Sequence, residues 1–135
     1  MKKLLGIVVL GLLLSGNAYS KEIFLNCTSY NTKGFYKNGA VSDEVNRSLK
    51  STFKINTKKQ TVFEYNSVSN KFLQKKNINW NEGFISWEID WGDVISRNEI
   101  NRIDLTYIWE NDLRKDPKWD KYVTYHNCKI GKKKF

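Results

Sequence analysis

The stretch Phe84-Ile85-Ser86-Trp87-Glu88-Ile89-Asp90-Trp91 decides the fold. In an extended chain, Ile85, Trp87, Ile89 and Trp91 share one side, and Phe84, Ser86, Glu88 and Asp90 share the other. A helix would also bring Trp87 and Trp91 together, one turn apart. The β-branched and aromatic content argues for a strand, as do Gly83 and Gly92, which bracket the stretch. Trp87 and Trp91 are therefore expected in a core, with Glu88 and Asp90 on a polar face.

The same alternation recurs on both sides. Residues 49–55 place Leu49, Ser51, Phe53 and Ile55 against Lys50, Thr52 and Lys54. Asn56-Thr57-Lys58-Lys59 is a polar turn, and residues 60–65 return as the second strand of a hairpin. Residues 21–30 carry Ile23, Leu25 and Cys27 on one face. Residues 122–130 carry Tyr122, Thr124, His126, Cys128 and Ile130. Residues 99–109 read as one strand with Ile103, Leu105, Tyr107 and Trp109 together. A further strand is expected around residues 72–80. Residues 29–46 read as a long loop with a helical turn near 42–47, and residues 110–120 as a polar loop holding Pro117. The expected fold is all-β: a small antiparallel barrel or sandwich of six or seven strands.

Residues 1–20 have the three parts of a secretory signal peptide. Met1-Lys2-Lys3 is positive, residues 4–14 are apolar, and Ala18 and Ser20 are small residues at the cleavage positions. The apolar run is shorter than the roughly 20 residues that a spanning helix needs. No second apolar run follows, so no membrane span is expected after cleavage. Cys27 follows Phe24-Leu25-Asn26, which is not a lipid-attachment context. The Lys-, Asn- and Ile-rich composition suits a bacterial chain, periplasmic or secreted. Residues 21–135 form a single domain with a basic tail at 131–135.

The two cysteines, Cys27 and Cys128, lie near the two ends of that domain. In an oxidising compartment they are expected to pair and join the first strand to the last. Closing a loop of about 100 residues is worth about 4.7 kcal/mol in chain entropy.

The chain carries a net charge of +9; loss of Lys2 and Lys3 with the leader leaves +7. A basic balance alone suggests nucleic acid, but export argues against it. The acidic partners outside the cytoplasm are lipid phosphates, anionic wall polymers and acidic proteins. Net charge also serves solubility alone.

Catalytic signals are few. His126 is the single histidine, beside a cysteine taken by the disulfide, and no nucleophile motif accompanies it. No metal-ligand spacing is present and no cofactor is expected. Glu88 and Asp90, with Glu99 and Asp104 nearby, are the candidate carboxylates for cleaving a glycosidic bond. The competing reading is a solvated strand face, with Arg102 pairing across to Glu88 or Asp90. Trp80 and Trp119 sit in polar settings, Asn79-Trp80-Asn81 and Lys118-Trp119-Asp120, and are the tryptophans to consider for ligand contact.

Cys27, Phe53-Lys54-Ile55-Asn56, Ile85-Ser86-Trp87, Asn101-Arg102-Ile103-Asp104 and Cys128 give the chain a likeness over most of its mature length. It resembles short exported bacterial β-domain proteins with no assigned function. That resemblance implies a fold and a compartment, not an activity. A second comparison is with the periplasmic lysozyme inhibitors of the membrane-bound C-type class, small barrels with one disulfide. Their Ser-Gly-x-x-Tyr pattern is lacking in residues 21–135, and this domain is itself basic. The expected function is a non-catalytic binding or structural module of the cell envelope, partnered by an anionic envelope component or an envelope protein. The alternatives are a small barrel carrying an apolar ligand and a carboxylate-dependent glycan hydrolase.

Overall fold

The computed structural model describes residues 22–44 and 48–131. The leader at 1–20 and the tail beyond Gly131 lie outside them. Every element among the described residues is a strand. They are β1 (Glu22–Tyr36), β2 (Val41–Glu44), β3 (Lys50–Asn56), β4 (Thr61–Asn66), β5 (Lys71–Gln74), β6 (Asn79–Trp80), β7 (Phe84–Asp90), β8 (Val94–Asn101), β9 (Thr106–Leu113) and β10 (Trp119–Gly131). All pair antiparallel in one curled sheet, a half-barrel, ordered β5-β4-β3-β1-β10-β9-β8-β7-β6, with β2 beside β1 off that path. The all-β antiparallel expectation holds, but the strands number ten and not six or seven.

The extra strands come from stretches too polar or too short to show a period. β1 does not stop at Tyr30. Its register against β10 shifts between Ser29 and Asn31, a bulge at Tyr30, and pairing then continues to Tyr36. The polar second half is held from both sides: the Thr32 and Thr124 hydroxyls lie 3.2 Å apart. Gly34 passes under the Trp119 ring, where a Cβ would stand 2.5 Å from the ring carbon Cζ3. The helical turn expected at 42–47 is replaced over its first part by β2, and residues 45–47 lie outside the described residues. Gly131, read as the start of the tail, ends β10. The polar loop of 110–120 shrinks to residues 114–118.

The single strand expected at 99–109 is a hairpin. Asn101 Oδ1 accepts hydrogen bonds from the Ile103 and Asp104 backbone N–H groups, both at 2.9 Å. Leu105 takes a left-handed conformation, with φ of 55°. The turn resets the alternation, so Ile100 and Tyr107 face each other across the hairpin and Ile103 is exposed. The strand expected at 72–80 is two strands, β5 and β6, at opposite ends of the sheet.

That last point explains the curl. Nine strands laid flat would place the sheet's ends roughly 38 Å apart, at about 4.8 Å per strand. The five peptide steps from Gln74 to Asn79 reach at most about 18 Å. The short link therefore requires the sheet to bend on itself. Its concave side holds the core: Leu25, Cys27, Phe53, Ile55, Val62, Ile85, Trp87, Ile100, Tyr107 and Cys128. Phe53 of β3 meets Trp87 of β7 at 5.6 Å between ring centroids and Tyr107 of β9 at 4.8 Å, both edge to face. Cys27 and Cys128 are bonded and directly opposite in the β1–β10 ladder, joining first and last strands as expected.

Candidate functional site

Because the chain walks outward from β1 to β5 and returns from β6 to β10, chain segments map onto flanks of the sheet. Residues 79–113, which make β6–β9, contain eight carboxylates and two arginines, a net of −6. The whole chain is +9. Among the other described residues, 22–44 and 48–78 carry nine lysines and four carboxylates, a net of +5, and 114–131 carry a net of +3. The structure is a basic flank joined to an acidic one.

The acidic flank carries a groove of about 590 Å³ on its outer face. Register places Ser86, Glu88, Arg97, Glu99, Ile108 and Glu110 on that face, because directly paired residues point the same way. Arg97 organises it. Its Nε donates to Glu88 Oε1 at 3.0 Å, and its Nη1 donates to Glu110 Oε2 and Asp112 Oδ2, each at 3.1 Å. The hydrogen bond to Asp112, with that to Glu110 and the charge of Glu88, raises the Arg97 pKa above its ordinary value. Lys121 approaches Glu110 from β10 at 3.4 Å. Glu99 is exposed and makes no ion pair among the described residues.

The arginine expected to face Glu88 and Asp90 was Arg102, and the structure corrects this. Arg102 is 2% exposed, at the β8–β9 turn beside the start of β7. Its Nη1 donates to the Asn81 carbonyl at 2.6 Å, and its guanidinium lies 4.9 Å from the Trp80 ring centroid. Burial lowers its pKa, against the charge of Glu82. Trp80 and Arg102 thus meet each other, packed against the core. Asp90 lies at the other end of β7, where it accepts from the Gly92 N–H and stands 3.8 Å from Arg114.

Trp119 is stacked on Tyr36 at 3.8 Å and lies 4.9 Å from Tyr122. Trp91 was expected in the core and is 70% exposed. β7 ends at Asp90, so the strand's alternation stops one residue short of it.

Inside the half-barrel, a polar chain crosses the core. Tyr107 donates its hydroxyl to Asn98 Oδ1 at 2.6 Å, and Asn98 Nδ2 and Trp109 Nε1 both donate to Ser96 Oγ, at 3.2 and 2.8 Å. Burial raises the Tyr107 pKa well above its usual value, with a smaller push from Glu64. His126 is buried beside it, with Nδ1 3.2 Å from the Tyr107 carbonyl oxygen, and burial lowers its pKa.

The basic flank has an aromatic floor. Lys54 Nζ lies 4.7 Å above Phe63 and 4.9 Å above Phe72, and Phe24 and Tyr65 border Phe72. Lys50 at the start of β3, Lys58 and Lys59 in the β3–β4 turn and Lys71 at the start of β5 are exposed on the same flank. Sequence reasoning named neither this patch nor Arg97. The available signal was the net charge of successive segments, which single-residue motifs do not reveal. Comparisons with protein-family models, with curated proteins and with solved structures find no match for this chain.

Proposed function

We propose that this chain is an exported, non-catalytic binding module of the bacterial cell envelope that holds an anionic envelope component against its basic flank. The observation that carries the reading is the segregation of charge: residues 79–113, which are β6–β9 with their turns, hold a net −6, and the other described residues a net +8. Lysines set around half-buried aromatics suit phosphate-bearing surfaces, because the ammonium groups meet the charge while the rings meet the apolar parts. The Cys27–Cys128 bond suits an oxidising compartment. The test is co-sedimentation with anionic vesicles, with neutral vesicles and with phosphate-rich wall polymer. Binding to either anionic partner that weakens steeply with salt supports the reading, and the preferred partner distinguishes lipid from polymer. Equal binding to neutral vesicles would remove it.

One observation favours the glycan hydrolase instead: the groove gathers Glu88, Glu99 and Glu110. Against it, the Arg97 guanidinium binds both Glu88 and Glu110 and fills the space between them. A glycosidase needs one carboxyl free to donate a proton and another facing the scissile bond. Turnover of envelope glycans that is lost in Glu88→Gln or Asp90→Asn would restore the hydrolase reading. The apolar-carrier reading gains no support from a core in which Phe53, Trp87 and Tyr107 are in mutual contact.

A further inference from the structure

Two groups of opposite charge, the Glu99 carboxylate and the Lys58–Lys59 ammonium pair, make no ion pair among the described residues of one copy. The first lies in the groove on the outer face of β6–β9, with Glu99 exposed and unpaired among the described residues beside the Arg97 cluster. The second lies at the tip of the β3–β4 hairpin. Asn56 Oδ1 accepts from the Lys58 and Lys59 backbone N–H groups at 3.1 and 2.9 Å, Thr57 is buried beneath them, and Gln60 closes the turn at a φ of 53°. The tip is thereby fixed in shape. It presents two adjacent exposed lysines, neither of which makes an ion pair among the described residues.

We infer that the groove of one copy receives the Lys58–Lys59 hairpin tip of a second copy. The tip is held in one conformation before contact, and the groove, with Glu88, Glu99 and Glu110 against the single Arg97, is of opposite charge. Groove and tip are different surfaces, so the contact is heterologous and each copy both gives and receives. Net positive charge opposes the approach over long range. At about 0.15 M salt the screening length is about 8 Å, so that repulsion is damped while charges in contact still attract. At about 1 M salt the length is about 3 Å and the contact fails as well. The inference needs only charges on this chain and does not rest on the envelope reading.

The test is sedimentation velocity on the disulfide-bonded protein over a range reaching about 100 μM, where a micromolar contact is occupied. The expected result is concentration-dependent association at about 0.15 M salt that disappears at about 1 M. Glu99→Lys alone, and Lys58→Glu with Lys59→Glu, each weaken it by about tenfold or more. The triple variant, which swaps both sides of the contact, restores it. Circular dichroism of each variant separates lost contact from lost fold. A wild-type chain that stays monomeric throughout, or a triple variant no better than its parents, overturns the inference.

Discussion

Phe53 and Trp87 stand on strands five places apart in the sheet, yet their rings meet edge to face at 5.6 Å. This contact is possible because the four-residue link between β5 and β6 ties the two ends of the sheet together. Phe53 is fully buried and also touches Tyr107. Phe53→Ala should cost about 3–5 kcal/mol, the range for removing a large buried aromatic. Urea denaturation gives the value; a loss below about 1 kcal/mol would mean the two flanks do not pack through this ring.

The disulfide ties the ends of the chain at the middle of the sheet. β1 and β10 pair along almost their whole length, and Cys27 and Cys128 are 101 residues apart in sequence. Cross-linking removes most of the entropy of bringing those strands together. Reduction, or replacement of both cysteines by serine, should lower stability by about 2–5 kcal/mol. Unfolding with and without reductant measures it.

Gly34 is required by the ring above it. With the Trp119 Cζ3 carbon 2.5 Å from where a Cβ would stand, Gly34→Ala must displace an indole stacked on Tyr36 and beside Tyr122. Overpacking of this kind costs about 1–3 kcal/mol. Loss of stability together with a changed near-ultraviolet circular dichroism signal is expected, and an unchanged signal would contradict the stacking.

His126 makes stability depend on pH in a defined direction. Burial lowers its folded pKa, so the unfolded chain binds the proton more readily. The groups facing it include neutral Tyr107 and, from β4, Glu64, which is paired with Lys75 at 2.8 Å. Its contribution is full above the unfolded value of about 6.5 and is lost as pH falls through that value toward the folded one. The urea midpoint should therefore drop between about pH 7 and pH 5. In His126→Phe that part of the drop should vanish; a slope identical to wild type would assign it elsewhere.

Much of the sheet was legible, and the misses share physical causes. Residues 84–90, the 49–65 hairpin and the Cys128 strand each have one buried face and one wet face, so period two shows directly. The second half of β1 and β2 are held by hydroxyls, a glycine and pairing on both sides, none of which leaves an apolar period. The β8–β9 turn was hidden because Ile103 and Leu105 continued the alternation through it. The Asn101 side chain, and a leucine at positive φ, make the turn there. Trp91 reads as a core residue only if β7 is extended one residue beyond its end at Asp90. In the candidate site, Glu88 stands out in the sequence and Arg97 does not, because their partnership follows from register across β7–β8 rather than from spacing within either strand.

In the proposed reading the basic flank, and not the acidic groove, meets the envelope. Amide hydrogen exchange on the disulfide-bonded protein, free and bound to anionic vesicles or wall polymer, reads out which flank is covered. Slowed exchange is expected around Lys50–Asn56, Thr61–Asn66 and Lys71–Gln74, with Phe84–Asp90 and Val94–Asn101 unchanged. Slowed exchange confined to Phe84–Asp90 and Val94–Asn101 would contradict it.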